Sequence, residues 1–364
     1  MRAWLIRGLL SLLVLGVIIV VVCVFSEKSQ STPVKASLAT EIFIQNYLLN
    51  KEGFIQTNIT DQNNVYLSES VGLWLEYLIE KNDSIQFKQQ VEVLEKYFLT
   101  KDHLVPWKIE GTKKYLVNAS IDDLRIVNSL YIAGEKWKTP FYTNLAKKMS
   151  KSLVRNQSVD QLMVDYIDLT NMDDKGEIIT LSYIIPESYK RMSKVGILSD
   201  EMYEETKDVL LKAPRSKIGF YPKEYNIKTG KYSYDQKVNL IDQFYVGLHE
   251  AQWGGDVSPL LQFAKKAFKE GNGKIYGQYD SETAQPIVQY EAPAVYALAI
   301  LMCIEIDERE FAKQLYSQML TLRQNQKKSP YYGGYIDVDS KDTHSFDNLL
   351  AIIAERRGMN EKVF

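Results

Sequence analysis

The sequence predicts an all-α chain folded as an (α/α)6 barrel, a closed ring of six helical hairpins, preceded by an N-terminal signal or membrane-anchor segment. Three observations predict it. Apolar residues recur at i, i+3, i+4 and i+7 in segment after segment, the spacing of a helix with one buried face. Roughly a dozen such segments cross the chain, with no run of alternating strands. Between helix pairs lie loops rich in Gly, Tyr and Asp, at 101–117, 157–176, 214–235, 272–290 and 327–342. They are long for helix–helix connections, and long ordered loops in a compact domain tend to be functional.

Taken in order, residues 1–26 form the anchor or signal. Arg2 and Arg7 precede an uncharged, almost wholly apolar run from Gly8 to Phe25, and charge returns at Glu27-Lys28. The run lies between a signal core and a spanning helix in length, and the arginines favour a cytoplasmic N-terminus with the body outside. Val20-Val21-Val22-Cys23 departs from a lipoprotein signal because Val22 is not small. Residues 27–34, with Ser, Thr and Pro33, read as a linker, and 35–364 as one domain.

Within that domain helices are expected near 36–50, 84–99, 141–154, 179–193, 199–212, 257–270 and 307–324. Others carry the faces Val71-Trp74-Leu75-Leu78, Ile126-Leu130-Ala133, Ile241-Phe244-Tyr245-Leu248, Val295-Leu298-Ala299-Met302 and Phe346-Leu349-Leu350-Ile353. A helix pair followed by a long polar-aromatic loop, repeated about six times, is the logic of a closed ring, with a two-layer solenoid as its rival.

Composition excludes several classes of function. The chain has 364 residues, 45% hydrophobic and 25% charged, with a net charge of −2. That is ordinary globular composition without the basic excess a nucleic-acid partner requires. Cys23 and Cys303 are not plausible disulfide partners, and His103, His249 and His344 have no ligand spacing, so neither metal nor organic cofactor is expected. No phosphate-binding glycine loop and no G-x-S-x-G elbow occurs. Tyrosine is the unusual count, at 24 with 5 tryptophans, and its apolar ring and hydroxyl suit carbohydrate surfaces.

Carboxylates then recur at helix starts. In Val117–Leu130, Ser120 and Asp123 have the spacing of a capping pair, which puts Asp122 and Asp123 in a first turn. In Tyr66–Trp74, Ser68 has the form of an N-cap and Glu69 follows among aromatic residues, where desolvation raises a carboxyl pKa towards that of a general acid. Asp242 lies beside Ile241 and Phe244, a costly place unless paired or at an opening. Asp347 sits at a further helix start and reads as a cap and ring-closing element. Two acids on opposite faces of a sugar are the minimum for glycoside hydrolysis.

These residues resemble glycoside hydrolase family 8, the (α/α)6-barrel endoglucanase and chitosanase family. Ala119-Ser120, Asp123, Ile126, Ser129-Leu130, Ala133 and Trp137 match its signature, Ser68-Glu69 its Ser-Glu-Gly motif, and the Asp242 segment its later Asp motif. The likeness is dispersed over about residues 40–355. It departs at Ile121, where the signature has its first Asp, at Ser70 in place of Gly, and at Tyr245, where many members have Arg. The resemblance implies an extracytoplasmic, inverting endo-glycosidase of a bacterial exopolysaccharide. Glu69 is then the acid, Asp242 the base, and Asp122 or Asp123 the sugar-holding carboxylate. Tyr66, Trp107, Tyr166, Tyr221, Tyr245 and Tyr335 are candidate cleft residues. The expected partners are a polysaccharide and, through residues 1–26, a membrane, with no nucleic acid and a monomeric state. A catalytically silent glycan-binding accessory protein is the alternative, and Ile121 is its best support. A helical scaffold binding a membrane partner is a third reading.

Overall fold

In a computed structural model, residues 33–364 are described; the anchor and most of the linker lie outside the described residues. Among the described residues twelve α-helices alternate between an inner and an outer ring. The inner helices are α2 (Ser68–Lys81), α4 (Ser120–Lys136), α6 (Pro186–Lys194), α8 (Leu240–Gln252), α10 (Pro293–Glu305) and α12 (Ser345–Asn360). The outer helices are α1 (Ala39–Phe43, continued by a π turn at Ile44–Leu48), α3 (Ser84–Val93, continued by a π turn at Leu94–Phe98), α5 (Pro140–Gln157), α7 (Asp200–Leu211), α9 (Ser258–Glu270) and α11 (Arg309–Met319). Each inner helix packs on the next, and α12 packs on both α10 and α2, so the ring closes. No helix among the described residues is long and apolar enough to cross a membrane.

The sequence explains the layering. α10, with the sequence PAVYALAILMCIE, is apolar almost all round and is buried from Ala294 to Cys303, as a helix flanked on every side must be. The outer helix α9 buries only one stripe, Leu260, Phe263, Ala264 and Ala267. Proline opens α5, α6 and α10, where its missing N–H is not needed. Asn82 ends α2 in the left-handed conformation (φ 64°), and Asp83 then caps α3 by accepting from Gln86 N at 3.1 Å.

The two ends of the barrel differ. An inner helix reaches its outer partner through short turns such as 82–83, 137–139 and 306–308. The return connections are long and carry small antiparallel sheets. β1 (Val65–Leu67), β2 (Lys108–Glu110) and β3 (Lys113–Tyr115) form one, and β4 (Ser158–Val159) pairs with β5 (Leu162–Met163). β6 (Ile178–Thr180), β7 (Glu224–Asn226) and β8 (Lys231–Ser233) form a third, and β9 (Lys237–Asn239) pairs with β10 (Gln278–Asp280). The helix expected over 179–193 is corrected here: residues 178–183 are a strand and a 3-10 turn, and α6 begins only at Pro186. All six inner helices therefore present their N-termini to the end that carries the loops.

Buried ion pairs hold the closure of the ring. Glu41 of α1 accepts from Lys81 Nζ and the Tyr77 hydroxyl, each at 2.6 Å. Glu355 of α12 accepts from Thr40, Tyr335 and Arg323 at 3.0–3.3 Å.

Candidate active site

The starts of the inner helices are linked by hydrogen bonds around the loop-bearing rim. The Ser68 hydroxyl donates to Asp122 Oδ2 at 2.6 Å, joining α2 to α4. The hydroxyls of Ser70 and Ser345 are 3.0 Å apart, joining α2 to α12. Asp347 Oδ1 accepts from Ala294 N at 3.0 Å, joining α12 to α10, whereas the cap of α12 itself is His344, which accepts from Phe346 N. Ser182, in the turn before α6, donates to Asp242 Oδ1 at 3.1 Å on α8.

Glu69 stands in the first turn of α2 inside this rim, half-buried. Its carboxyl has no hydrogen-bond partner among the described residues. Burial raises its pKa to about 8, helped by the Asp122 and Asp347 carboxylates and opposed by Arg125. Asp122 is 5% exposed and also lies above its ordinary value because it is buried. Its anion is nonetheless well supported, by Arg125 (3.5 Å), by Ser68 and by the Glu69 N–H. Asp242 is half-buried in the first turn of α8 and raised by burial, with Ser182 and Lys223 opposing. It lines a small recess with Tyr221, Lys223 and Tyr234.

Asp123 is a different case. It is fully buried and accepts from Val105 N at 3.1 Å and Asn118 Nδ2 at 2.8 Å. Asn118 in turn holds Gln157 and the Ile167 N–H. Asp123 therefore braces the loops behind α4, and of the two adjacent acids only Asp122 reaches Glu69. Neither expected serine cap forms: Ala119 and Leu67 are the caps, and Ser120 and Ser68 are the first helical residues. That frees the Ser68 hydroxyl for Asp122.

The aromatic candidates divide by exposure. Trp107 (40% exposed) and Tyr166 (45%) are open on the loop-bearing end, and Trp107 O receives the Ser68 N–H at 3.0 Å, so this ring sits beside the start of α2. Tyr66 is half-buried and stacked on Phe54. Tyr221, Tyr245 and Tyr335 are buried, each against neighbours within the protein. Tyr221 lies under the Arg215 guanidinium, Tyr245 accepts from Arg125 at 3.1 Å, and Tyr335 donates to Glu355 in the ring closure.

Sequence reasoning missed Asp165, Ser182 and Tyr183. Asp165 accepts from the Thr180 N–H (2.7 Å) and hydroxyl (2.6 Å), fixing the turn that carries Ser182 and Tyr183. The Tyr183 hydroxyl is pushed up to about 12, first by burial and then by the carboxylates of Asp165, Asp122, Asp242 and Glu69. Tyr183 follows Ser182, whose hydroxyl holds Asp242. The cue available in sequence was the run Thr180-Leu181-Ser182-Tyr183, polar and aromatic, just ahead of the helix start that Pro186 marks.

The ring of six helical hairpins recurs among solved structures. No protein-family model matches the chain. It is 38% identical over 341 residues to "Putative lipoprotein YdaJ" of Bacillus subtilis strain 168, covering 93% of this chain and 92% of that protein. Among solved structures, a protein described as a novel alpha-amylase from Clostridium perfringens superposes with a TM-score of 0.82 at 26% identity, over 88% of this chain and 96% of that one. PssZ from Listeria monocytogenes gives 0.74 at 26% identity, over 89% and 96%. Endoglucanase Cel10 of Klebsiella pneumoniae, a family 8 glycosyl hydrolase, shares the fold at 0.60 and 15% identity, over 89% and 99%. The chain belongs to the family of YdaJ and shares its fold with family 8 glycoside hydrolases.

Proposed function

We propose that this protein is an extracytoplasmic endo-glycosidase that hydrolyses β-linked bonds of a bacterial exopolysaccharide with inversion. One arrangement supports the reading: Glu69 and Asp242 lie in the first turns of inner helices α2 and α8 at the loop-bearing rim, Glu69 beside the Ser68–Asp122 bond and Asp242 held by Ser182. Glu69 is protonated at neutral pH and has no hydrogen-bond partner to compete for its proton, so it protonates the leaving glycosidic oxygen. Asp242 takes a proton from water as that water attacks the anomeric carbon from the other face. Inverting pairs stand about 6.5–9.5 Å apart to admit the water. Asp122, held in place by Ser68 and Arg125, accepts from a sugar hydroxyl at the cleavage point. Trp107 and Tyr166 offer stacking faces along the cleft. The name of the Bacillus relative supports a membrane-anchored body outside the cytoplasm.

The Clostridium neighbour's description as an alpha-amylase favours a second reading, an α-linked glucan substrate in the same cleft. The test is incubation with a panel of purified polysaccharides, including α-glucans and the host's own exopolymer, counting new reducing ends and following the product anomer by NMR. Release from a β-linked polymer, of inverted anomer and absent in Glu69→Gln, is the expected result. Release only from α-glucans selects the second reading. Binding without release from any polymer overturns both in favour of a silent glycan-binding protein.

A further inference from the structure

Arg125 is the buried cation of the site, and its surroundings assign it a task. It is 5% exposed, in the bore where α2, α4 and α8 meet. Nη1 lies 3.5 Å from Asp122 Oδ1, and Nη2 donates to the Tyr245 hydroxyl at 3.1 Å. Its stem runs against Gly72 of α2, where a Cβ would stand 3.0 Å from Arg125 Cδ. The glycine is thus the space through which the arginine reaches the bore. Below it a cavity of about 430 Å³ opens between the inner helices, lined by Glu76, His249 and Gln252 among others.

The titratable groups acting on this guanidinium come from α2, α4 and α8, and the cavity below it is also lined by Glu187 and Arg191 of α6, Glu305 of α10 and Arg357 of α12. α2 supplies Glu69 above and Glu76 below, and α4 supplies Asp122. α8 supplies Tyr245 and His249, the latter neutral because burial and Arg125 push it down to about 3. From α12, Asp347 acts on Glu69 and Arg357 on Glu76. The 3-10 turn before α6 adds Tyr183.

Asp122 and Glu69 are neighbouring acids, and burial raises both. Two such acids share a proton unless something tells them apart. A glycosidase needs them apart, one ionised and one protonated. The partners here are unequal: Asp122 has a hydroxyl, a backbone N–H and the nearer edge of the guanidinium, whereas Glu69 has no donor. We propose that Arg125 is the positioning residue that orders the proton in this pair, holding Asp122 ionised and leaving the proton on Glu69. The inference rests on reading Glu69 as the acid, but its test does not need turnover.

The experiment is an infrared pH titration of protonated carboxyls in the full-length protein. In the wild type, Glu69→Gln removes a protonated-carboxyl component with a midpoint near pH 8, whereas Asp122→Asn keeps that component and lowers its midpoint, because a neighbouring negative charge is gone. In Arg125→Met the midpoint moves up by about one unit or more, because a cation is gone. Asp122→Asn now also removes intensity, because the proton is shared. Arg125→Lys restores the wild-type pattern in part. Gly72→Ala, which removes no charge, shifts the midpoint in the same direction by displacing the stem, and serves if Arg125→Met does not fold. A wild-type titration in both Arg125→Met and Gly72→Ala overturns the proposal. That outcome is separate from failure to find a hydrolysed polysaccharide, which bears on the function and leaves the proton ordering untouched.

Discussion

The hydroxyl of Ser68 lies 2.6 Å from Oδ2 of Asp122, so the first residue of α2 secures the first turn of α4 directly beside Glu69. Both residues are buried, at 0% and 5% exposure, so no water replaces the bond if it is lost. Ser68→Ala is expected to cost about 1–3 kcal/mol of folding stability, the penalty for a buried acceptor losing a donor. Urea denaturation with an unchanged slope measures it. A loss of hydrolysis larger than the loss of folded protein accompanies it, because Asp122 is no longer fixed.

The raised pKa of Glu69 makes stability depend on pH in a defined direction. Below its ordinary value of 4.5 both folded and unfolded chains hold the proton. Between 4.5 and about 8 only the folded chain holds it, so the contribution of this residue falls as pH rises and is lost above about 8. Glu69→Gln mimics the protonated acid. It is therefore expected to match the wild type near pH 4 and to exceed it near pH 9 by on the order of 1–3 kcal/mol. Thermal melts at the two pH values decide it.

For activity the same group sets the alkaline limb of kcat/KM, which should fall with a midpoint near pH 8. Asp242→Asn is expected to lower kcat by about 10²–10⁴-fold with little change in glycan binding, as loss of a general base does. Tyr183→Phe should lower kcat less, by about 10-fold, if its hydroxyl orients the groups around it. Steady-state rates on the polymer found in the panel assay, with binding measured separately, check both.

Away from the site, Lys81 is 4% exposed and balances Glu41, which is fully buried, as well as Asp83. Lys81→Met strands a buried carboxylate and is expected to cost about 3–5 kcal/mol. Exchanging Lys81 and Glu41 together for Met and Gln should cost much less, and the double-mutant cycle measures the difference.

The ring of hairpins was legible because inner and outer helices alike carry long runs at the 3.6-residue period. Val71, Trp74, Leu75 and Leu78 are all buried, as their spacing requires. The small sheets were not legible, since strands of two or three residues are too short to show alternation and owe their pairing to the helices that bring the loops together. The segment from 179 was read as helix because its apolar residues fit the period, although Pro186 marks where a helix can begin. Asp122 and Asp123 share a first turn and differ by about 100° around the axis. Which one faces Glu69 is decided by Val105 and Asn118, remote partners that claim Asp123. Tyr183 escaped notice because loops impose no period on the residues they deliver.

The contact of α12 with both α2 and α10 has a consequence for how the protein is made. α2 carries Glu69 yet lacks one of its two inner neighbours until residues 345–360 have been synthesised and delivered. Up to that moment the flank of α2 that faces α12 has nothing to lie against. The cleft is complete only when the last of the six hairpins docks, so the proposed hydrolytic capacity arises in one step at the end of folding.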